Sequence, residues 1–178
     1  MAAAPFPPPS LTPYVTKIAA ILTERKQSVC VAETAAGGLI SAALLSVPGA
    51  SAYYAGGLTV YTPTSRIAFS GFTPEDFADY RGPTPQIVER LAVHAHKTLQ
   101  ATYALGESGI AGPTAGPTRT RTSGYVALAV ATQDGVVSKE IETGTFDRQT
   151  NMVLFTEEAL KFLLQVLTGE VTEQKTAS

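Results

Sequence analysis

Apolar residues at Tyr14, Val15, Ile18, Ala19, Ile21 and Leu22 recur at helical spacing, with Lys17, Glu24, Arg25 and Lys26 left for a wet face. The spacing predicts a first helix. Ser28 to Ala32 then reads as a short apolar strand, and Gly37 to Leu45 as a small-residue helix stopped by Pro48-Gly49. Gly57 to Tyr61 has the β-branched and aromatic content of a second strand. Thr62-Pro63, Thr73-Pro74 and Thr84-Pro85 each set a capping hydroxyl before a proline suited to a first helical turn, so they mark helix starts. Beyond Thr84, the positions Ile87, Leu91, His94 or Ala95, and Leu99 give one packing face to what reads as the longest central helix. Thr102 to Ser108 is a third strand. Gly124 to Thr132 and Val136 to Thr143 flank Gln133-Asp134-Gly135, a hairpin signal that makes the sheet mixed. Val153, Leu154, Ala159, Leu160, Leu163, Leu164 and Leu167 define a last amphipathic helix from Arg148 or Gln149 to Leu167. Three or more helices over a mixed sheet of five or six strands predict an α/β fold, a three-layer α/β/α sandwich.

Composition narrows the setting. With 178 residues, 44% of them apolar, the chain can build one substantial core, expected over 13–168 between a proline-rich tail at 1–12 and a polar tail at 169–178. A net charge of −2 and a pI near 5.7 argue against general nucleic-acid or anionic-membrane binding, so an anionic ligand has to be held locally. The opening residues lack a basic region and their prolines interrupt any apolar stretch, which does not read as a secretory signal. No run approaches the ~18 apolar residues of a membrane span. The single Cys30, alternating with Val29 and Val31, reads as a small core hydrophobe; a cytoplasmic location is expected.

The chemistry concentrates where the first strand ends. Val29 to Ala32 stops at Glu33-Thr34, and Ala35-Ala36-Gly37-Gly38 opens a helix, aiming a hydroxyl and backbone N–H groups at one point beyond a strand end. Further on come Val47-Pro48-Gly49-Ala50-Ser51, Gly56-Gly57-Leu58-Thr59-Val60-Tyr61 with Arg66, then Ser108-Gly109-Ile110-Ala111-Gly112-Pro113, and Phe146-Asp147-Arg148. In order and spacing, across 13–167, these segments resemble the C-terminal domain family of CinA. That family carries Ala-Glu-Ser-Cys-Thr-Gly-Gly, Val-Pro-Gly-Ser-Ser, Gly-Gly-Val-Val-Tyr-Ser-Asn-Glu-Ala-Lys, Ser-Gly-Ile-Ala-Gly-Pro and Gly-Asp-Arg at the matching places. Its characterised members are nicotinamide mononucleotide amidohydrolases. The resemblance therefore implies a deamidase of that type acting on a small, nucleotide-like substrate without metal or other cofactor, and a homo-oligomer.

Carried over position by position, the resemblance makes Thr34 the nucleophile in place of a serine; as a residue, Thr34 could equally cap the following helix. Glu33 either orients substrate or favours the helix N-terminus on charge grounds. Ala35 and Ala36 replace a cysteine and a threonine and make the pocket floor more apolar. Tyr61 matches a tyrosine and would help move the Thr34 proton, while Arg66 replaces a lysine. A guanidinium cannot take over general-base duty but can hold an anion; the other reading of Arg66 is a solvated surface cation. Gly37, Gly38 and the turn Ser108, Gly109, Ile110, Ala111 and Gly112 would bring backbone N–H groups to the ligand, or serve turn geometry alone. Arg148 would bind phosphate or carboxylate, or pair with Asp147, and Asn151 replaces a second arginine.

Arg119 and Arg121 lie in the long loop after Gly112, either closing over a phosphate or simply exposed. His94 and His96 are two apart on a helix and do not form a metal pair. Two rivals to deamidation remain on this reading. One is a diverged member that binds a small nucleotide-like or apolar ligand without turnover; the other is a hydrolase of a different amide or ester.

Overall fold

The computed structural model describes residues 5–171. Five strands form one sheet in the order β2-β1-β3-β4-β5. β1 (Val29–Glu33) runs parallel to both β2 (Tyr54–Thr59) and β3 (Tyr103–Gly109), and β3, β4 (Tyr125–Ala131) and β5 (Val136–Glu142) are antiparallel in turn. Helices α1 (Thr12–Arg25), α2 (Leu39–Leu45) and α5 (Arg148–Leu167) cover one face, and α4 (Pro85–Leu99) covers the other. The fold is thus the expected α/β sandwich on a five-stranded mixed sheet.

Strand alternation divides the core in two. Val126, Leu128 and Val130 of β4 point to the α1, α2 and α5 side, whereas Tyr125, Ala127, Ala129 and Ala131 point to α4. The small residues on the α4 side let that helix approach closely, and Gly106 completes the fit, since a Cβ there would lie 2.8 Å from the Val88 carbonyl oxygen. Cys30 is buried on this face, and burial pushes its thiol up to about 12, as suits a core residue.

Several boundaries differ from the sequence expectation. β2 spans Tyr54–Thr59, earlier than the stretch from Gly57 to Tyr61, because Tyr53 turns into the core and donates its hydroxyl to the Leu44 carbonyl, 2.5 Å away. α2 starts only at Leu39, since Gly37 and Gly38 take positive φ. Thr73-Pro74 opens a single 3-10 turn, Pro74–Phe77, while Thr62 and Thr84 do cap true helices, α3 (Pro63–Phe69) and α4. Of the two expected tails, residues 1–4 and 172–178 lie outside the described residues; within them, Leu11 packs in the core and Val171 packs against it.

Candidate active site

The parallel ladder of β1 on β3 ends at Ala32 and Gly106, leaving the next residues of both strands to side-chain chemistry. Glu33, wholly buried, turns toward α2. Its Oε2 accepts from the N–H groups of Gly38 (2.9 Å) and Ile40 (3.1 Å), and its Oε1 from the Ser41 N–H (3.1 Å) and hydroxyl (2.6 Å). Glu33 is therefore what caps α2. The alternative role considered for Thr34 disappears accordingly: its hydroxyl donates to Ser108 Oγ at 3.4 Å and does not cap the helix.

Glu107, the residue before Ser108, is a site residue that the sequence reading missed. It is fully buried, and its Oε2 accepts from the N–H groups of Thr34 (2.8 Å) and Ala36 (3.0 Å). Burial is the main cause that pushes its carboxyl up to about 7, opposed by those two N–H donors. The available signal was a carboxylate inside the small and apolar run Ala104-Leu105-Gly106. Together, Glu33 and Glu107 already engage the N–H groups of Thr34, Ala36, Gly38, Ile40 and Ser41. The expectation that N–H groups around Gly37 and Gly38 face a ligand is corrected to that extent, because two carboxylates of the chain itself fill the helix opening.

Arg66 is not a surface cation. It is the buried residue of the short helix α3, 5% exposed. Its guanidinium donates to the Val60 carbonyl (3.2 Å), the Tyr80 hydroxyl (3.1 Å) and Ser108 Oγ (3.4 Å). Tyr80, also missed in the sequence, is held by packing along Phe72, Phe77 and Tyr80. No local pattern linked positions 66 and 80; only the fold brings them together. Tyr61, 57% exposed, pairs instead with Arg148, whose guanidinium lies 5.7 Å from its ring centre and donates to its hydroxyl at 3.2 Å. Arg148 also donates to the Gly112 carbonyl (3.0 Å) and makes no ion pair with Asp147, which caps α5 by accepting from the Thr150 N–H (2.8 Å).

Two hollows share Tyr61, Gly109 and Ile110. One, of about 290 Å³, is also lined by Thr34, Arg66 and Tyr80; the other, of about 260 Å³, extends to Ala35, Ala111, Gly112 and Arg148. The residues singled out at 34, 61, 66 and 109 thus border one space, and Ser108 lies buried behind it in contact with Thr34 and Arg66. The glycine turn is fixed from α5, where Asn151 Nδ2 donates to the carbonyls of Ala111 (2.9 Å) and Thr145 (3.0 Å). Gly112 has φ +89°, and a Cβ there would collide with Ser123. In the following loop, Arg119 is engaged by Glu140 (3.1 Å) and Glu142 (2.6 Å) on β5. Among the described residues no cluster of His, Cys, Asp or Glu has the makings of a metal site, and no helix is long and apolar enough to cross a membrane.

The family model described as the CinA C-terminal domain matches residues 11–167. This chain belongs to that family. A CinA-like protein from Shewanella piezotolerans is 36% identical over 154 residues, covering 86% of this chain and 36% of the relative. The chain thus spans about a third of the length of that curated CinA-like relative. Among solved structures, the competence/damage inducible protein CihA from Agrobacterium tumefaciens superposes with a TM-score of 0.83 at 27% identity, covering 94% of this chain and 99% of that one. A competence or damage-inducible protein from Enterobacter asburiae gives 0.81 at 25% identity, covering 88% and 98%.

Proposed function

We propose that this CinA-family chain is an amidohydrolase of the nicotinamide mononucleotide deamidase type, in which Thr34 attacks the carboxamide carbon of a small nucleotide-like substrate. The observation that carries the reading is the row Thr34, Ser108, Arg66 and Tyr80, hydrogen-bonded in series, with Thr34, Arg66 and Tyr80 on the wall of one hollow. Thr34 donates to Ser108, so the proton released as its oxygen bonds carbon has a neighbour to go to. Ser108 can pass its own proton toward the departing nitrogen. Arg66 acts as a fixed positive charge favouring negative charge on oxygen, which a permanently charged guanidinium does well and base catalysis does not require of it. Ammonia leaves, and water then releases the acid from Thr34. The neighbouring hollow, with Gly109, Gly112 and Arg148, suits the anionic part of the substrate, and Tyr61 stands between the two.

One observation favours a second reading, a ligand-binding member without turnover. The hydrogen-bond partner of the Thr34 hydroxyl is another neutral hydroxyl, and the β-branch of threonine restricts its approach. Ammonia release from nicotinamide mononucleotide by the wild type, Thr34→Ser and Thr34→Ala separates the two. The deamidase reading expects turnover in the wild type, more in the serine variant, and a loss of at least ~10²-fold in the alanine variant. No turnover in any of them, together with ligand protection against heat, selects binding. Undiminished turnover in Thr34→Ala removes Thr34 from the chemistry.

A further inference from the structure

Glu107 is a wholly buried carboxylate on an apolar face of the sheet. Its neighbour on the strand, Ser108, is on the α4 face with Ala104, and Ser108 pairs with Ala127 of that face. Glu107 shares the opposite face with Leu105 and pairs with Leu128, among the apolar residues packed by α1, α2 and α5. A carboxylate there is expensive, and its Oε1 has no hydrogen-bond partner among the described residues. Its other oxygen gathers the N–H groups of Thr34 and Ala36, which lie on either side of Ala35 at the bend between β1 and α2. The same Thr34 reaches across to Ser108 on the other face.

Resting on the reading of Thr34 as the attacking group, we infer that Glu107 is the positioning residue for it: from the far side of the sheet its carboxylate clamps the turn 34–36 and so holds the Thr34 hydroxyl toward Ser108 and the hollow. Two N–H bonds to one oxygen fix the backbone on both sides of Ala35, and with the backbone fixed the β-branched side chain has few rotamers left. A carboxylate does this better than a neutral acceptor because both bonds are charge-assisted. The charged groups that act on Glu107 are Glu33 from β1, which disfavours its ionised form, and Arg66 from α3, which favours it. Of these influences the attraction of Arg66 is the weaker, and burial outweighs it.

The test compares wild type, Glu107→Gln and Glu107→Leu by NMR and by ammonia release from nicotinamide mononucleotide. In the leucine variant, amide exchange at Thr34 and Ala36 is expected to rise at least ~10²-fold while Val31 and Leu105 stay protected, and Thr34 χ1 couplings average over rotamers. kcat falls about 10²-fold with KM within about threefold, as for a misplaced reacting group. Glutamine, which keeps an acceptor, restores the single rotamer and most of kcat. In the wild type alone, the Thr34 and Ala36 amide shifts titrate together near neutral pH, a transition absent from Glu107→Gln, so the clamp is read even if the leucine variant does not fold. Unchanged protection and rotamer at Thr34 in the leucine variant, or Thr34 and Ala36 amide shifts that coincide in wild type and Glu107→Gln at every pH, overturn the inference. So does a disordered Thr34 with undiminished kcat. If the wild type releases no ammonia, it is the deamidase reading that fails, and the clamp is judged on exchange, couplings and titration.

Discussion

Arg66 shows how one side chain changes meaning between sequence and structure. On a short helix with no buried neighbours it reads as a surface cation, yet it is sequestered and spends its donors on Val60, Tyr80 and Ser108. Arg66→Ala is therefore expected to cost ~1–3 kcal/mol in urea unfolding, because a buried carbonyl and hydroxyl lose their donor, and to lower deamidation by ~10²-fold through the lost charge. A variant with normal turnover would separate Arg66 from the chemistry. Cys30 illustrates the reverse, a residue whose alternation in an apolar strand already indicated its place. With its thiol pushed up to about 12, it should resist alkylation by iodoacetamide at pH 8 in the native protein and react only after unfolding. Labelling of folded protein by mass spectrometry checks this.

At the scale of elements, the opening of α2 is the part that the local pattern misjudged. Small residues at 35–38 suggested exposed N–H groups waiting for a ligand, but Glu33 had a shorter route to them than any substrate. α2 is only seven residues long and has no other side-chain cap, so its start depends on that carboxylate. Glu33→Ala should destabilise the chain by ~3 kcal/mol or more, leaving three N–H groups without acceptors, and the urea midpoint should fall accordingly. A change below ~1 kcal/mol would mean that water satisfies the helix start and that Glu33 is free for another role. The helix starts at Thr62 and Thr84 were legible because their caps are local, within three residues of the N–H they hold. The span of β2 was not, because Tyr53 is set by a hydrogen bond to α2 that no alternation encodes.

For the molecule as a whole, a carboxylate embedded beside the sheet couples stability to pH. The ordinary Glu107 carboxyl titrates at 4.5 and the folded one is pushed up to about 7 by burial, so the folded state holds its proton more tightly. The stability it contributes is fully present below the unfolded value and is lost as pH rises through the folded one. Between pH 5 and pH 8 the wild type should thus lose stability relative to Glu107→Gln, on the order of 3 kcal/mol at most, in urea titrations at each pH. Parallel pH curves for the two proteins would place the carboxyl in an ordinary, solvated setting.

By itself, the sequence determined the class of fold, the α/β alternation, the antiparallel end of the sheet and the segments that border the hollow. The first three follow from periodicity, capping residues and glycine turns, which act over a few residues, and the segments around the hollow from the resemblance to the CinA family. Only the tertiary structure decided which groups face one another across it. Thr34 meets Ser108 and Glu107 from 73 or 74 residues away, Arg66 meets Ser108 from 42, and Tyr61 pairs with Arg148 from 87. Such contacts depend on strand order and on which face of the sheet each residue takes, and a buried charge finds its partners by the cost of having none, a condition that exists only once the core has closed.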